Sequence, residues 1–287
     1  MLNRVAAVVV NYNTRDHLLE CVRSLRKAGV EEIVVADNDS GDGSAEALAA
    51  ADRDVRIVAT GGNLGFGRAA NRGAREAHAD WLLICNPDVT VDPDAVDILV
   101  GILARDSAVA VVGPRIVDAD GTTYPSPRRF PGLLDAVGHA FLGMIAPRNR
   151  FTRRYRMLDF DRERASSDVD WVSGSCFLVR REAWDALGGF DEGYFMYAED
   201  VDLCWRAHRL GWRVAFEPAA RVSHVQGAAT SQRPYRMILE HHRALGRFSA
   251  RTSRGPQRLL LPLVALALVV RTGLAWGHRA LSLFRNG

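Results

Sequence analysis

The sequence predicts an α/β protein built on a mostly parallel, doubly wound sheet, followed by an apolar tail. Two observations predict the sheet. Short apolar runs rich in β-branched residues alternate with helical patterns over residues 1–115, and a polar cluster follows each of the first four runs. A third observation, an apolar segment with flanking arginines within residues 251–287, predicts the tail. With 287 residues, 48 % of them apolar, the chain can bury a sizeable core.

The alternation predicts five strands in the first part of the chain, at residues 5–10, 32–36, 55–59, 81–85 and 109–112. It predicts helices between them, at residues 16–28, 44–51, 68–77 and 93–105. Ligands of parallel sheets bind beyond the carboxyl ends of the strands, so the polar clusters at those ends predict a single site. The clusters are residues 11–13, 37–40, 63–67 and 86–88.

The second part of the chain begins with a change of composition. Residues 125–165 are rich in Arg, Pro and Phe with little periodicity, which predicts a loop or mobile insert carrying a short helix at 133–144. An ordered block follows. It has an apolar run at 171–179, a helix start near Glu199, a strand at 213–216 and a helix at 235–247.

The net charge of +3 is small, but residues 206–287 contain 14 arginines and only two acids. Such a basic end favours contact with phosphate, nucleic acid or a lipid surface. The apolar run at 259–270 is shorter than the ~20 residues that span a bilayer. Its flanks favour a helix lying in the membrane interface over a core helix, and we expect no nucleic acid partner. The flanking residues are Arg254, Arg258, Arg279 and Arg285.

The four cysteines are far apart and form no C-x-x-C pair, which predicts neither a disulfide framework nor a zinc site. A reducing compartment is therefore expected. The sequence enters a strand pattern directly, so we expect no signal peptide.

Three short motifs and one histidine are the candidates for the chemistry of the site. The G-x-G-x-x-A pattern at 65–70 resembles a dinucleotide fingerprint but follows the third strand, which argues against that function. Asp88, in an N-P-D turn after an apolar strand, is suited to hold a divalent cation against a diphosphate, although N-P-D is also an ordinary turn. His224, at an apparent strand end, is a candidate second ligand. Glu199 and Asp200 begin a helix after an aromatic loop, where helix capping is the alternative role.

Taken in order over about residues 4–250, these motifs resemble the family 2 glycosyltransferases of the GT-A fold, a Rossmann-like, mostly parallel sheet flanked by helices. The resemblance rests on V-V-V-N-Y-N at 8–13, D-N-D-S-G-D-G at 37–43, N-L-G-F-G-R-A-A-N-R-G at 63–73, N-P-D at 86–88, W-V-S-G-S-C-F-L-V-R-R at 171–181, E-D-V-D-L-C-W-R at 199–206, and His224. The third and sixth blocks are most similar to the rhamnosyltransferase-like branch.

The resemblance implies a glycosyltransferase domain over residues 1–250, followed by an interfacial helical tail over 251–287. Residues 1–115 would form the nucleotide-sugar-binding half of the domain, and residues 166–250 the acceptor and catalytic half. The resemblance implies that Tyr12 packs on the nucleobase of the donor and that Asp37 and Asn38 contact its base and ribose. It also implies that further residues line the donor pocket. These further residues are Asn13, Asn63, Arg68, Asn71, Asn86 and Asp88.

The resemblance also implies the reacting groups. Asp200 matches the catalytic base of an inverting transferase, and Gly174 and Glu199 lie on the acceptor side. Asp88 matches the last acid of the family's D-x-D motif and, with His224, would bind Mg²⁺ or Mn²⁺ against the diphosphate. The family often has Asp where this chain has Asn86, so metal binding would be weaker here or would depend more on His224.

The expected reaction is metal-dependent transfer of L-rhamnose from dTDP-L-rhamnose to polyprenyl-diphosphate-linked N-acetylglucosamine, in cell-wall or polysaccharide assembly. The protein is expected to be peripheral, on the cytoplasmic face of the plasma membrane. A galactofuranosyl or other hexosyl donor is the alternative within the family. A nucleotidyltransferase would need a Gly-rich loop after the first strand, which is missing. A sugar-nucleotide sensor without catalysis is disfavoured by Asp88, Asp200 and His224.

Overall fold

The computed structural model describes residues 5–130, 148–155, 157, 159–166 and 168–285, together with residues 132, 142 and 146. The strands are β1 (Val5–Asn11), β2 (Glu32–Asp37), β3 (Arg56–Ala59), β4 (Trp81–Cys85), β5 (Val89–Val91), β6 (Val109–Asp118), β7 (Cys176–Arg180) and β8 (Arg213–His224). The helices are α1 (Arg15–Lys27), α2 (Ser44–Ala51), α3 (Phe66–Glu76), α4 (Ala95–Arg105), α5 (Arg150–Tyr155), α6 (Arg181–Leu187), α7 (Glu199–Arg209), α8 (Pro234–Thr252) and α9 (Leu261–Arg285).

The strands and helices predicted in the first 112 residues are confirmed, with bounds that shift by a few residues. The sequence missed β5, because its three residues are too few to show a period and they pair only with the distant β8. The predicted strand at 213–216 is the first third of β8, which continues to His224. The predicted helix at 133–144 lies outside the described residues.

The sheet has the strand order β3-β2-β1-β4-β7-β6-β8-β5. It is parallel from β3 to β4, as predicted, and mixed beyond, because β7 runs antiparallel to both of its neighbours and β5 runs antiparallel to β8. The carboxyl ends of β1, β2 and β4 therefore meet the start of β7 at one edge.

Both faces of the sheet are covered, which explains why its central strands are continuous apolar runs. One face packs on α3 and α7, and the other packs on α1 and α4. Gly73 allows α3 to approach closely, because a Cβ there would lie 2.7 Å from Cγ1 of Val8.

Helix α9 spans about 37 Å and packs along α8. Thr272 bonds the buried Nδ1 of His242 at 2.8 Å, and Trp276 donates to the Tyr235 carbonyl at 3.1 Å. On the opposite side, leucines and valines such as Leu263 and Leu266 are more than 60 % exposed. The helical stretch Gly255–Ala280 is long and apolar enough, by length and composition, to cross a membrane.

Candidate active site

A cleft of about 630 Å³ opens at the carboxyl ends of β1 and β4. It is closed on its other side by the loop before α7 and by the first turns of α8. The tertiary structure thus brings together predicted site residues that are up to 212 positions apart in the sequence, from Tyr12 to His224. The predicted site residues that line the cleft are Tyr12, Asn38, Asn63, Asn86, Asp88, Gly174, Glu199, Asp200 and His224.

Four predicted donor-binding residues are not in the cleft wall, and their donor contacts stay a prediction. The Asn71 amide bonds both backbone groups of Phe190 at 2.9 Å, so it anchors the loop that precedes α7 to α3. Arg68 donates to the Glu192 carbonyl at 2.8 Å and supports the same loop. The Asn13 side chain accepts a hydrogen bond from the backbone of Gly41.

Asp37, the fourth of these residues, is buried and shapes the loop after β2 from within. Its carboxylate accepts hydrogen bonds from Asn11 at 2.8 Å and from the Ser40 hydroxyl at 2.7 Å. Its neighbour Asn38 reaches the next loop, because its amide donates to the Gly65 carbonyl and accepts from the backbone of Leu64. These bonds fix the part of the cleft wall where the nucleotide is expected.

Gly65 explains the glycine pattern that imitates a dinucleotide fingerprint. Its φ is +87°, and a Cβ there would lie 2.0 Å from the backbone oxygen of Phe195. That same oxygen accepts a hydrogen bond from the Phe66 backbone at 2.9 Å. The glycine therefore lets the aromatic loop of residues 194–197 close against the start of α3, and it does not cradle a phosphate as in a dinucleotide-binding protein.

Two consecutive left-handed residues turn the chain into α7. Tyr197 and Ala198 have φ values of +70° and +60°, a conformation that costs non-glycine residues ~1–3 kcal/mol each. Buried contacts hold the helix in place, since Arg206 pairs with fully buried Asp202 at 2.7 Å and donates to the Leu187 carbonyl. This i, i+4 ion pair lies within the first two turns of α7 and stabilises the helix that follows the strained turn.

Asp200 lies in the first turn of α7 and lines the cleft. One carboxylate oxygen accepts the backbone N–H of Gly174 at 2.7 Å, and the other accepts the N–H of Val201 at 2.8 Å. Only glycine fits at 174, because a Cβ there would lie 2.9 Å from the Cβ of Asp200. Burial raises the pKa of Asp200 above its ordinary value, while these N–H donors and the charge of Arg128 oppose the rise.

Glu199 precedes Asp200 and is buried beside it. Burial, and then the charge of Asp200, raise the pKa of Glu199 to about 8, so this side chain is neutral at pH 7. Its Oε2 atom has no protein partner. A neutral carboxylic acid in the cleft wall has a proton to donate, which suits it to bind a substrate oxygen.

This pKa predicts a pH-dependent stability. The unfolded chain loses the Glu199 proton near pH 4.5, but the folded chain keeps it until about pH 8. The folded state therefore binds more protons between these values, and its stability falls as pH rises, by about 5 kcal/mol in total. Glu199→Gln cannot lose a proton at this position, so we expect its stability not to fall in this way. Thermal melts should show the Tm of the variant rising relative to the Tm of the wild type between pH 5 and pH 8.5. The exposed substitution Glu46→Gln is the control, and parallel pH profiles for Glu199→Gln and wild type would contradict the assignment.

Asp88 and His224 form the second chemical centre. Their Oδ1 and Nε2 atoms are 3.0 Å apart, because β5, which follows Asp88 directly, pairs Val89 with His224. The Asn86 amide is 3.4 Å from the same imidazole nitrogen. Among the described residues, no group of three or more His, Cys, Asp or Glu side chains is placed to hold a metal ion.

The donor set fits a divalent cation that is shared with a substrate. The carboxylate is an oxygen ligand that suits both Mn²⁺ and Mg²⁺, whereas the imidazole suits the softer Mn²⁺ better, and both ions keep several positions for substrate phosphates and water. The pair also lines the same cleft as Asp200, so a diphosphate bound to such a cation would share the cleft with this carboxylate.

Several cleft residues were not found from the sequence. Arg128 stacks on the rings of Tyr124 and Trp171, with its guanidinium 5.0 and 5.1 Å from their centroids. Arg233 and Arg236 enter from the start of α8. Arg128 comes from the segment without periodicity, and the α8 residues belong to a helix with an ordinary amphipathic pattern, so neither carried a local signal.

The chain was compared with known proteins. The model of the family "Glycosyltransferase like family 2" matches residues 3–238. N-acetylglucosaminyl-diphospho-decaprenol L-rhamnosyltransferase of Mycobacterium tuberculosis is 38 % identical over 257 residues, which cover 85 % of this chain and 83 % of the relative. Rhamnosyltransferase WbbL of Escherichia coli is 32 % identical over 177 residues, which cover 58 % of this chain and 62 % of the relative.

A mannosyltransferase from Pyrobaculum calidifontis, solved with GDP-Man and Mn²⁺, superimposes with a TM-score of 0.60 at 18 % identity. The superposition covers 99 % of this chain and 79 % of that one, and it shows the GT-A fold. Sequence, fold and the placement of Asp200 and Asp88 in one cleft agree, and the chain belongs to the family 2 glycosyltransferases, among their rhamnosyltransferase-like members.

Proposed function

We propose that this enzyme transfers L-rhamnose from dTDP-L-rhamnose to polyprenyl-diphosphate-linked N-acetylglucosamine, with inversion at the anomeric carbon. The observation that carries the proposal is that Asp200 and the Asp88–His224 pair line a single cleft. The choice of sugar and acceptor is supported by the mycobacterial relative, whose similarity extends over 83 % of its own length.

Asp200 acts as the general base. The acceptor hydroxyl gives its proton to the Asp200 carboxylate while its oxygen attacks the anomeric carbon of the donor. The bond from that carbon to the diphosphate oxygen breaks, and the nucleoside diphosphate leaves with the electron pair. Burial makes Asp200 a stronger base, and the Gly174 and Val201 N–H groups hold its carboxylate in one orientation.

Asp88 and His224 would hold a divalent cation, Mn²⁺ or Mg²⁺. When bound, the cation would neutralise charge on the departing diphosphate. Arg233 and Arg236 face the same cleft and add positive charge near it. Asn86 contributes a neutral amide at a position where a second carboxylate would add negative charge. Cation binding should therefore depend more strongly on the nucleotide than it would in a site with two carboxylates.

The enzyme would work as a peripheral protein on the cytoplasmic face of the membrane. The exposed apolar side of α9 supports contact with the bilayer interface, and Arg254 and Arg258 lie exposed just before this helix. All four cysteines are free and buried, in keeping with a reducing compartment.

A donor panel tests the proposal. Purified enzyme would be given dTDP-L-rhamnose, UDP-galactofuranose, UDP-glucose and GDP-mannose with a short-chain polyprenyl diphosphate N-acetylglucosamine. We expect kcat/KM for dTDP-L-rhamnose to exceed the others by about 10-fold or more, because polar groups that fit one sugar are left unpaired by another. NMR should show an anomeric configuration opposite to that of the donor. Preference for another sugar would overturn the proposed donor, and retention would overturn the single displacement by Asp200.

A further inference from the structure

A second cavity, of about 440 Å³, lies between α8 and α9. It adjoins the active-site cleft, because Tyr197, Met237 and His241 line both spaces. The rings of Tyr197 and His241 meet edge to face with centroids 5.0 Å apart. Tyr197 is also the first of the two left-handed residues that lead into α7, so this shared wall lies only three residues before Asp200.

The second cavity is basic. Arg271 and Arg279 line it from α9, and His241 and His242 line it from α8. None of the described residues that line it is acidic. Arg271 is half-buried within an otherwise apolar stretch of helix, where a charge is costly to desolvate. Two arginines in the wall of one cavity match the charge and the oxygen-rich surface of a phosphate or diphosphate group.

The two sides of helix α9 differ in a way that favours a lipid as the ligand of this cavity. Arg271 and Arg279 lie on the side of the helix that faces α8, together with Thr272. Leu263, Leu266 and Val270 project from the other side and are exposed. One helix therefore presents cations inward and an apolar surface outward, which suits a ligand with an anionic head and a hydrocarbon chain.

We infer that the cavity between α8 and α9 binds the diphosphate of the lipid-linked acceptor, through Arg271 and Arg279. The inference rests on the proposed function and deepens it by assigning the acceptor's charged group to a site.

The chemistry of the acceptor requires such an arrangement. Its reacting hydroxyl must reach Asp200, while its diphosphate is attached to the anomeric carbon of the same sugar. The diphosphate therefore lies within one sugar ring of the base and outside the donor site. The cavity adjoins the cleft at the Tyr197–His241 wall, so a sugar that passes this wall would connect the two sites.

A kinetic experiment tests the inference. Arg271→Gln, Arg279→Gln and the double variant would be assayed with N-acetylglucosaminyl farnesyl diphosphate and with an alkyl glycoside of N-acetylglucosamine. Each lost charge-assisted contact should raise KM for the diphosphate acceptor by ~10–100-fold. We expect little change in kcat, in the donor KM or in KM for the uncharged glycoside. Arg271→Lys should restore part of the affinity.

Arg243→Gln is the matched control. Arg243 is an exposed residue of α8 that lines neither cavity, and a thermal melt must show that the loss of its ion pair with Glu240 leaves the fold intact. Equal rises of KM for both acceptors in the double variant, or none for the diphosphate acceptor, would overturn the inference. A rise in KM that appears only on anionic vesicles, together with weaker vesicle binding, would also overturn the inference. Such a result would identify the cavity as a site for a phospholipid headgroup.

A binding measurement separates this inference from the proposed function. Farnesyl diphosphate would be titrated calorimetrically into wild type and double variant in EDTA, which removes divalent cations from the donor site. Weaker binding by about 10-fold or more in the double variant would support the cavity as the diphosphate site. Absence of rhamnosyl transfer by the wild type would overturn the proposed function alone, whereas equal affinities in this titration would overturn the inference.

Discussion

Replacing Asp200 by asparagine is expected to lower kcat by ~10²–10⁴, with the nucleotide-sugar affinity largely unchanged. The amide keeps the shape of the side chain but cannot take a proton from the acceptor hydroxyl. The loss should appear at saturating acceptor, because a general base acts in the transition state and contributes little to ground-state binding. Single-turnover kinetics with labelled donor would measure the chemical step directly.

The geometry around Asp200 dictates the controls for this variant. Both carboxylate oxygens accept backbone N–H groups, from Gly174 and Val201, and an asparagine has only one oxygen to offer them. One of these hydrogen bonds must be lost, so a thermal melt and a donor titration must show that the fold and the donor site persist. Asp97→Asn, an exposed change in α4, controls for the loss of one charge. Near-normal kcat in a folded Asp200→Asn protein would remove Asp200 from the mechanism.

Removal of divalent cations should abolish turnover, and Mn²⁺ or Mg²⁺ should restore it. The physical reason is that Asp88 and His224 alone cannot balance the charge of a leaving diphosphate, since one is itself an anion. Asp88→Ala should lower kcat/KM by about 100-fold or more, in keeping with the several kcal/mol that a cation contributes to such a transition state. It should also weaken nucleoside diphosphate binding only when the cation is present.

The comparison with EDTA makes this prediction specific. In chelator, the wild type and Asp88→Ala should bind nucleoside diphosphate with similar affinity, because both then lack the bridging cation. Asp94→Ala is the matched control, since Asp94 is an exposed acid at the start of α4 and lies outside the cleft. Full activity in chelator would show that Asp88 and His224 serve another purpose than metal binding.

The architecture of the first half of the chain could be predicted from its apolar pattern alone. The period of its apolar residues marked β1 to β4 and their helices, because strands buried on both faces must be apolar throughout and helices between them must be amphipathic. Parallel sheets bind ligands at the carboxyl ends of their strands, and this rule predicts that Tyr12, Asn38 and Asp88 belong to one site.

The second half of the site depended on tertiary structure. His224 reaches Asp88 through the pairing of β5 with β8, two strands separated by well over a hundred residues, and β5 is too short to have a readable period. Arg128 stands beside Asp200 although its own segment shows no pattern. Local periodicity reports only which face of an element is buried, and it carries no information on which distant element supplies the neighbour.

The C-terminal helix α9 shows the same difference between what the sequence predicts and what the structure adds. The sequence identified an apolar, arginine-flanked segment but ended its run at Arg271, because a charge in an apolar stretch interrupts any count along the chain. In the structure α9 continues through that residue, which faces the cavity on the α8 side while the leucines and valines face outward. The direction in which a helical side chain points relative to its neighbour is set by packing, so the position of Arg271 in the wall of a cavity could be seen in the tertiary structure alone.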